Sequence, residues 1–268
     1  MPKQLKLFRE IRKDQTYGEI YNGDAINFLR SIDSESVPLI FLDPPFNLGK
    51  KYSEKNKDLD NMSEEDYIIW IQSILNESVR VLSKGGALYI YHLPSWCMRF
   101  GHYLGQNLDF RHWIAISMKN NFVRSNRLYP AHYGLLYFTK GDPIYFNRPK
   151  LTPQTCRKCG TTIKDYGGYK SIIEEKGINL SDFWDDISPV RHNSKKLRKQ
   201  NQLPLLLTDR IMEISGVSGG LFVDPFVGTG TSVVSAINHK MKFKCCDLVI
   251  ENCIITSKRL EQLQNLTI

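Results

Sequence analysis

The sequence predicts an α/β fold with a doubly wound, mainly parallel sheet. Two short apolar runs, Val37–Leu42 and Leu221–Asp224, have the composition of strands that are buried on both faces. Each run leads into an Asp-Pro pair, and proline cannot continue the hydrogen-bonded ladder of a strand. Segments with helical periodicity separate these runs from further strands, and such alternation is typical of parallel sheets.

The first half of the chain holds most of the other predicted elements. Ser63 and the acidic residues after it have the character of a helix N-cap, and the apolar spacing that follows predicts a helix with a packing role only. We expect Gly85 and Gly86 to end this helix, because glycine is favoured just after helix C-termini. The remaining elements predicted here are strands over 19–22, 87–91, 113–118 and 134–138 and helices over 25–32 and 96–106.

Composition divides the chain into four parts. Residues 1–16 are polar and charged, and we expect them to form a loosely packed N-terminal arm. Regular elements are predicted over 17–140 and again over 201–268. The second region has helices over 203–214 and 254–263 and strands over 221–224 and 243–247. Between these regions, 141–200 is a loop-rich, basic insertion, and an insertion of this length inside a compact domain usually has a function of its own.

The charge of the protein indicates a polyanionic partner. The formal net charge is +8, and residues 191–199 include several basic residues and no acidic one. A solvated basic surface is the alternative for any single one of these residues. No apolar run has the length of a membrane span, and the N-terminus lacks the apolar core of a secretory signal. We therefore expect a soluble, cytoplasmic protein whose six cysteines are thiols.

The stretch after the first apolar run forms the first candidate site. Asp43, Pro44, Pro45 and Phe46 follow Leu42 directly, and proline holds the residue before it in an extended conformation. A carboxylate, a carbonyl and an aromatic ring are thereby fixed at the carboxyl end of a strand. Open α/β sheets bind their ligands at that edge. The alternative is a purely structural Pro-Pro turn.

A glycine-containing loop after the second apolar run forms the second candidate site. A Gly-x-Gly sequence between a strand and a helix allows a nucleoside to approach the backbone closely. An acidic residue at the end of the next strand is placed to meet ribose hydroxyls. The third glycine of a dinucleotide motif is absent, so the loop predicts an adenosine ligand without a pyrophosphate. The candidate residues for this ligand are Asp224, Phe226, Gly228, Gly230, Thr231 and Asp247.

Together, Asp43-Pro-Pro-Phe46 and Phe226-x-Gly228-x-Gly230 resemble the DNA amino-methyltransferases that use S-adenosylmethionine. The catalytic motif precedes the cofactor motif, as in the β group of that family, and the likeness extends from about Tyr21 to Leu263. The resemblance implies a Rossmann-like methyltransferase sheet with a circularly permuted order of motifs. It also implies that 17–140 is the catalytic half of the domain, 141–200 the target-recognition region and 201–268 the cofactor-binding half.

The resemblance further assigns residues to the cofactor. Asp24, in Tyr21-Asn-Gly-Asp24, would lie near the cofactor adenine, and Leu203 and Pro204 would line the methionine end. Asp43 would adjoin the cofactor as well as the target. The family's common His-Pro-Thr-x-Lys-Pro run before the 203–214 helix is absent, and 191–204 stands in its place.

The residue types in the 43–46 loop suit methylation of an exocyclic amine. Such an amine is a poor nucleophile because its lone pair is delocalised into the ring, and it has two N–H donors. The Asp43 carboxylate and the Pro44 carbonyl can accept one each, which would draw the nitrogen towards tetrahedral geometry and direct its lone pair at the methyl group. Phe46 offers a face for stacking, and the base must leave the double helix to reach this site.

Asp43, the first residue of the Asp-Pro-Pro-Phe motif, indicates which base is the target. In the family, Asp at this position favours adenine N6 and Ser favours cytosine N4. We therefore predict a sequence-specific N6-adenine DNA methyltransferase, with cytosine N4 as the alternative. An RNA or protein amine methyltransferase is a further alternative, although those typically have Asn in place of Asp43. A catalytically inactive DNA-binding protein is the alternative from a different class.

DNA is the predicted partner, with phosphate contacts from basic residues in and before the insertion. These candidates are Arg124, Arg127, Arg191, Lys195, Lys196, Arg198 and Lys199. A separately encoded restriction endonuclease and a homodimer are further partner hypotheses. Cys156 and Cys159 have the spacing of half a zinc ribbon, but the second pair is missing. A turn with reduced thiols is therefore the favoured interpretation, zinc remains the alternative, and no metal site is predicted.

Overall fold

A mixed sheet forms the centre of the protein. The computed structural model describes residues 5–13, 16–48, 61–117, 126, 128, 130–153, 155, 160, 167–188 and 202–265. In chain order the strands are β1 (Lys6–Lys13), β2 (Thr16–Asn22), β3 (Val37–Leu42), β4 (Leu82–His92), β5 (Asp109–Ser117), β6 (His132–Thr139), β7 (Lys150–Leu151), β8 (Ile178–Asn179), β9 (Phe183–Trp184), β10 (Leu221–Asp224) and β11 (Lys242–Asp247). The helices are α1 (Ala25–Arg30), α2 (Glu64–Val81), α3 (Pro94–Leu104), α4 (Lys170–Lys176), α5 (Leu205–Ser215), α6 (Thr231–Asn238) and α7 (Ile250–Asn265).

The order of the strands is that of a doubly wound sheet. In the part of the chain that is described, nine strands pair in the order β1-β2-β11-β10-β3-β4-β6-β5-β9. Strands β2, β11, β10, β3 and β4 run parallel to one another. Strand β6 runs antiparallel to both β4 and β5. The predicted doubly wound, mainly parallel sheet is therefore confirmed.

Helices cover the sheet on both faces, and the alternation of side chains along β3 shows how. Leu39 and Phe41 point to a core that also contains apolar residues of α5, α6 and α7. Ile40 and Leu42 point to the opposite core, which contains residues of α1, α2 and α3. All four side chains are at most 1% exposed. A strand enclosed in this way must be apolar on both faces, which is why its sequence is a continuous apolar run.

The N-terminal residues depart from the expectation of a loosely packed arm. Residues 6–13 form β1, which pairs antiparallel with β2 at the edge of the sheet. Ile11 of this strand is buried, and Arg9 donates hydrogen bonds to Ser257 and Glu261 of α7. The expectation is wrong for these residues because a few apolar side chains among many charged ones suit an edge strand with one side open to solvent.

The glycine pair after α2 also differs from expectation. The helix ends at Val81, and Gly85 and Gly86 lie within β4 instead of ending the helix. Gly85 has a φ of +69°, and a Cβ atom there would lie 2.7 Å from the carbonyl oxygen of Asp142. Glycine is needed at this position because the segment after β6 passes close to the backbone, and not because a helix stops.

The insertion contributes only short elements within its described residues, namely β7, α4, β8 and β9. Strand β9 pairs with β5 and extends the central sheet, while β7 and β8 pair with each other. The division of the chain into four parts otherwise stays a prediction. Among the described helices, none is both long enough and apolar enough to cross a membrane.

Candidate active site

The parallel strands end at one edge of the sheet, and the predicted site residues follow from those ends. Asp224 and Asp247 are the last residues of β10 and β11. Asp43 comes directly after β3, and Asp24 comes two residues after β2. These strands are parallel neighbours in the sheet, so their carboxyl ends lie side by side. The fold thus brings residues from distant parts of the chain to one edge.

Aromatic side chains surround the 43–46 loop. The Phe46 side chain is only 7% exposed. Its ring centroid lies 4.5 Å from that of His92, 5.7 Å from Tyr133 and 6.0 Å from Tyr91. Tyr91 and His92 end β4, and Tyr133 lies at the start of the neighbouring strand β6. The loop therefore faces an aromatic wall at the carboxyl edge.

The charge of Asp43 affects the pKa values of two tyrosines in this aromatic wall. Burial raises the pKa of Tyr91 well above its usual value, and the nearby Tyr133 and Asp43 add to the rise. Burial also raises the pKa of Tyr133, with Asp43 as the second cause. Sequence reasoning missed both tyrosines. The alternation of residues in β4 could have indicated the face of Tyr91, but the pairing of β4 with β6 is a tertiary feature.

Helix α2 contacts both predicted sites, so its assignment to packing alone is incomplete. The Tyr67 hydroxyl donates a hydrogen bond of 2.6 Å to the Pro45 carbonyl. One turn later, the Trp70 ring lies 5.9 Å from the ring of Phe226 in the glycine loop. A buried tyrosine usually finds a partner for its hydroxyl, and this was the available indication in the sequence.

The glycine loop joins β10 to α6 through two left-handed residues. Gly228 has a φ of 53° and Gly230 a φ of +80°, a region that favours glycine. A Cβ atom on Gly230 would lie 2.7 Å from Cγ2 of Thr256 in α7. Glycine is therefore required at position 230 by the backbone turn and by the close packing of α7, even without a ligand.

The buried Asp224 side chain holds the glycine loop through two hydrogen bonds. Its side chain is 2% exposed, and its two oxygens accept hydrogen bonds from the Phe226 N–H and from the Ser232 hydroxyl. Burial raises the pKa of Asp224 to about 7, although both hydrogen bonds act in the opposite direction. Its geometry fixes the turn between strand and helix, and its contact with a cofactor stays a prediction.

Asp247, for which the sequence predicts contact with ribose hydroxyls, is held by two backbone N–H groups. Its Oδ2 accepts from the Gly228 N–H at 2.9 Å and its Oδ1 from the Val249 N–H at 2.7 Å. These two bonds fix the orientation of the carboxylate at the end of β11. The bond to Gly228 also ties the end of β11 to the glycine loop.

The other predicted cofactor residues lie around the same edge. Asp24 caps α1, since its carboxylate accepts from the N–H groups of Ile26 and Asn27. Leu203 packs against the core that contains Phe46, and Pro204 immediately precedes α5. The Thr231 hydroxyl accepts a hydrogen bond from Arg259 at 3.1 Å.

The chain resembles known proteins in both sequence and fold. A family model described as DNA methylase matches residues 37–258. The chain belongs to the DNA methylase family. The matched residues include both the 43–46 loop and the glycine loop, and the family resemblance inferred from these motifs is confirmed.

Relatives of the chain include proteins described as type II methyltransferases. The chain is 42% identical over 264 residues to the type II methyltransferase M.BamHI of Bacillus amyloliquefaciens, covering 96% of the chain and 62% of that relative. It is 31% identical over 215 residues to M.HpaI of Haemophilus parainfluenzae, covering 78% and 63%. The DNA adenine methyltransferase YhdJ of Escherichia coli (strain K12) is 26% identical, with 90% and 82% covered. The chain thus spans less than two thirds of the length of M.BamHI and M.HpaI.

Solved structures share the fold of the chain. The PvuII DNA methyltransferase, described as cytosine-N4-specific, superposes with a TM-score of 0.66 at 15% identity, covering 93% of this chain and 89% of that one. M1.HpyAVI in its complex with SAM superposes with a TM-score of 0.61 at 17% identity, covering 91% and 98%. At these identities the likeness is one of fold.

The remaining predicted residues are not among those that the structure describes. All seven basic candidates for DNA contact, together with Cys156 and Cys159, lie outside the residues that the structure describes. Within the described ranges, no group of three or more His, Cys, Asp or Glu side chains could hold a metal ion. For Cys156 and Cys159, a turn with reduced thiols therefore stays the prediction and zinc binding the alternative.

Proposed function

We propose that the chain transfers a methyl group from S-adenosylmethionine to an exocyclic amine of a base in DNA. The observation that supports this most strongly is the adjacency of the two loops. Strands β3 and β10 are parallel neighbours, with Phe222 opposite Leu39, so the 43–46 loop and the glycine loop leave the same edge side by side. Membership of the DNA methylase family supports the reaction class and the substrate.

The residues at the edge fit the cofactor. Asp247 ends β11 and its Oδ2 accepts from the Gly228 N–H, which places this carboxylate at the glycine loop that also contains the half-buried Phe226. Asp24 stands next to the same strand end, because the Gly23 N–H donates to the Asp247 carbonyl at 3.1 Å. We propose that these residues hold the adenosine part and that Leu203 and Pro204 adjoin the methionine part. When bound, S-adenosylmethionine supplies an electrophilic methyl sulfonium.

The 43–46 loop supplies two acceptors for the target amine. The Pro44 carbonyl has no hydrogen-bond partner among the described residues, whereas the Pro45 carbonyl accepts from Tyr67. Asp43 and Pro44 can thus each receive one N–H, which concentrates the nitrogen lone pair on the side of the methyl group. After transfer, the Asp43 carboxylate is placed to take the proton that the methylated amine releases. Phe46 and Tyr133 provide ring surfaces for the base.

Adenine N6 is the first candidate target, because Asp heads the motif. Cytosine N4 is the second candidate, since both amines present two N–H groups to the same pair of acceptors. Both kinds of target occur among similar proteins, because YhdJ is described as an adenine methyltransferase and the PvuII enzyme as cytosine-N4-specific.

Recognition of DNA belongs to the same proposal. We propose that 141–200 recognises the target sequence and that the basic residues named above contact phosphates. A separately encoded restriction endonuclease and a homodimer are kept as predictions, in line with the type II methyltransferases among the relatives.

The proposal is tested by incubating the protein with isotopically labelled S-adenosylmethionine and DNA of mixed sequence. Digestion to nucleosides and mass spectrometry would reveal N6-methyladenosine or N4-methylcytidine in its deoxy form, which decides between the two targets. RNA and a protein mixture serve as parallel substrates. Label in RNA or protein but not in DNA would overturn the proposed substrate.

Replacing Asp43 tests the mechanism. We expect Asp43→Ala to lower methyl transfer by at least about 100-fold, because the charged acceptor for the amine is lost. Binding of S-adenosylmethionine, measured by calorimetry, should survive. Asp33→Ala, which changes an exposed carboxylate before β3, is the matched control. Unaltered transfer by Asp43→Ala would exclude the assigned role of the carboxylate.

A further inference from the structure

The carbonyl of Pro45, the second proline of the 43–46 loop, is bound to a fully buried side chain. The Tyr67 hydroxyl, 2.6 Å from the Pro45 carbonyl oxygen, belongs to a residue with no exposed surface. The phenolic hydrogen is donated to this carbonyl. The hydroxyl oxygen can then accept a hydrogen bond from another donor in the interior.

His92 is placed to be that donor. Its Nε2 lies 3.0 Å from the Tyr67 hydroxyl, and its side chain has no exposed surface. Because the phenolic hydrogen points to Pro45, the network assigns the imidazole hydrogen to Nε2. Burial lowers the pKa of His92 to about 3, although a hydrogen bond to the Pro45 backbone acts in the opposite direction. The ring is therefore neutral at the pH of a cell, and it also supports Pro45 directly.

The same histidine contacts the last residue of the loop. Its ring centroid lies 4.5 Å from that of Phe46. On its other sides are the rings of Trp96, at 6.1 Å, and Phe100, at 5.2 Å, both from α3. His92 is therefore held between a helix and the loop, while its nitrogen supports the tyrosine that binds Pro45.

This arrangement determines which carbonyl of the loop remains available. With the Pro45 carbonyl turned to Tyr67, the Pro44 carbonyl is the one left without a partner among the described residues. Transfer to an amine depends on acceptors held in place, and a displacement of about 1 Å can cost about 100-fold in rate. If the loop turned so that the Pro44 carbonyl took the place of the Pro45 carbonyl at Tyr67, Pro44 would no longer be available to accept an N–H of the amine.

We propose that Tyr67 and His92 are positioning residues that hold the 43–46 loop in the geometry required for methyl transfer. Tyr67 fixes the carbonyl of Pro45, and His92 fixes both Tyr67 and the ring of Phe46. The role rests on the proposed function, because it concerns the rate of that reaction.

Deleting one oxygen atom tests the role of Tyr67. We expect Tyr67→Phe to lower kcat by about 10- to 100-fold, with KM for DNA and Kd for S-adenosylmethionine changed by less than about 3-fold. Tyr89→Phe is the matched control, since its equally buried hydroxyl is bonded to Ser215 at 2.8 Å, away from the loop. It should destabilise the protein to a similar extent and leave kcat unchanged.

A pair of isosteric replacements tests the role of His92. Gln retains an N–H donor near the position of Nε2, whereas Met has a similar shape and no donor. We expect His92→Gln to keep a kcat about 10-fold above that of His92→Met, with thermal unfolding used to confirm that both are folded. This pair also decides the matter if Tyr67→Phe fails to fold.

The outcomes separate this role from the proposed function. No methyl transfer to DNA by the wild-type protein would overturn both. Wild-type transfer combined with an unchanged kcat in Tyr67→Phe, or with equal kcat values in the Gln and Met variants, would overturn only the positioning role. A loss confined to KM would also contradict it, because the pair does not contact DNA in this assignment.

Discussion

At the scale of single residues, the carboxyl group of Asp224 links ionisation to folding. Its pKa is about 7 in the folded protein against 3.8 for an exposed carboxyl group. Between these pH values the folded state holds a proton that the unfolded state has released. The free energy of unfolding therefore falls as pH rises through this window, by up to about 1.4 kcal/mol per pH unit.

Asp224→Asn should remove that slope. The amide can accept from the Phe226 N–H and donate to the Ser232 hydroxyl, so both contacts of the carboxyl group are conserved. We expect the variant to be at least as stable as the wild type at about pH 8 and to show less variation between about pH 4 and 7. Urea denaturation at several pH values measures this. A large loss of stability at high pH would mean that the ionised carboxylate is needed.

His92 predicts a pH dependence of opposite sign. Its pKa is about 3 when folded against 6.5 when exposed, so between these values only the unfolded state binds the proton. The free energy of unfolding should therefore fall as pH decreases below 6.5. His92→Gln should lose this dependence, whereas replacing the exposed His112 by Gln should retain it. Identical acid sensitivity in all three proteins would contradict the assignment of His92 as buried and neutral.

At the scale of elements, the turn from β10 into α6 predicts a difference between two glycines. Gly230 and Gly219 both have positive φ, but a Cβ atom on Gly219 meets nothing within 4 Å. Gly219→Ala should therefore cost only the backbone strain of about 1–2 kcal/mol. Gly230→Ala should cost about 1–3 kcal/mol more, because the added methyl group meets Thr256.

Denaturation of the two variants measures this difference. Gly230→Ala should also weaken the binding of S-adenosylmethionine, since the loop must shift to relieve the contact. Gly219→Ala should leave that binding intact. Equal losses in the free energy of unfolding for the two variants would indicate that α7 can move away from the added methyl group at Thr256.

The elements show which parts of the fold the sequence predicts. Val37–Leu42 and Leu221–Asp224 were predicted with their observed bounds, because enclosure on both faces and a following proline leave local marks. The glycines at 85 and 86 were misinterpreted, since their cause is the approach of Asp142 from after β6. A local pattern cannot distinguish a glycine that ends a helix from one that admits a distant backbone.

The residues of the candidate site also divide into those that local motifs predict and those that only the tertiary structure reveals. The 43–46 loop and the glycine loop are continuous motifs, so their chemistry could be proposed from residue types. Tyr67 has the helical spacing of an ordinary core residue, and nothing local shows that its hydroxyl meets Pro45. Tyr133 reaches the site only because β6 pairs with β4, which places Gly134 opposite His92.

At the scale of the whole molecule, the net charge of +8 predicts DNA binding that depends on salt. Each phosphate contact contributes about 0.9 to the slope of log affinity against log salt concentration. Replacing Lys195, Lys196, Arg198 and Lys199 by Gln should reduce the slope by up to about 4. Lys242→Gln, at the exposed amino end of β11 and thus at the opposite edge of the sheet, is the control. Equal slopes for the wild type and the fourfold variant would remove these residues from the DNA interface.

The strand order has a consequence for how the protein is made. In the described structure β2 pairs with β1 and β11, and β10 lies between β11 and β3. A hairpin of two strands is marginal in water, so β1 and β2 gain their neighbour in the sheet only after β11 has been synthesised. Asp43 and the glycine loop can meet earlier, because β10 pairs with β3 directly. The sheet becomes continuous from β1 to β4 only when β11 takes its place between β2 and β10.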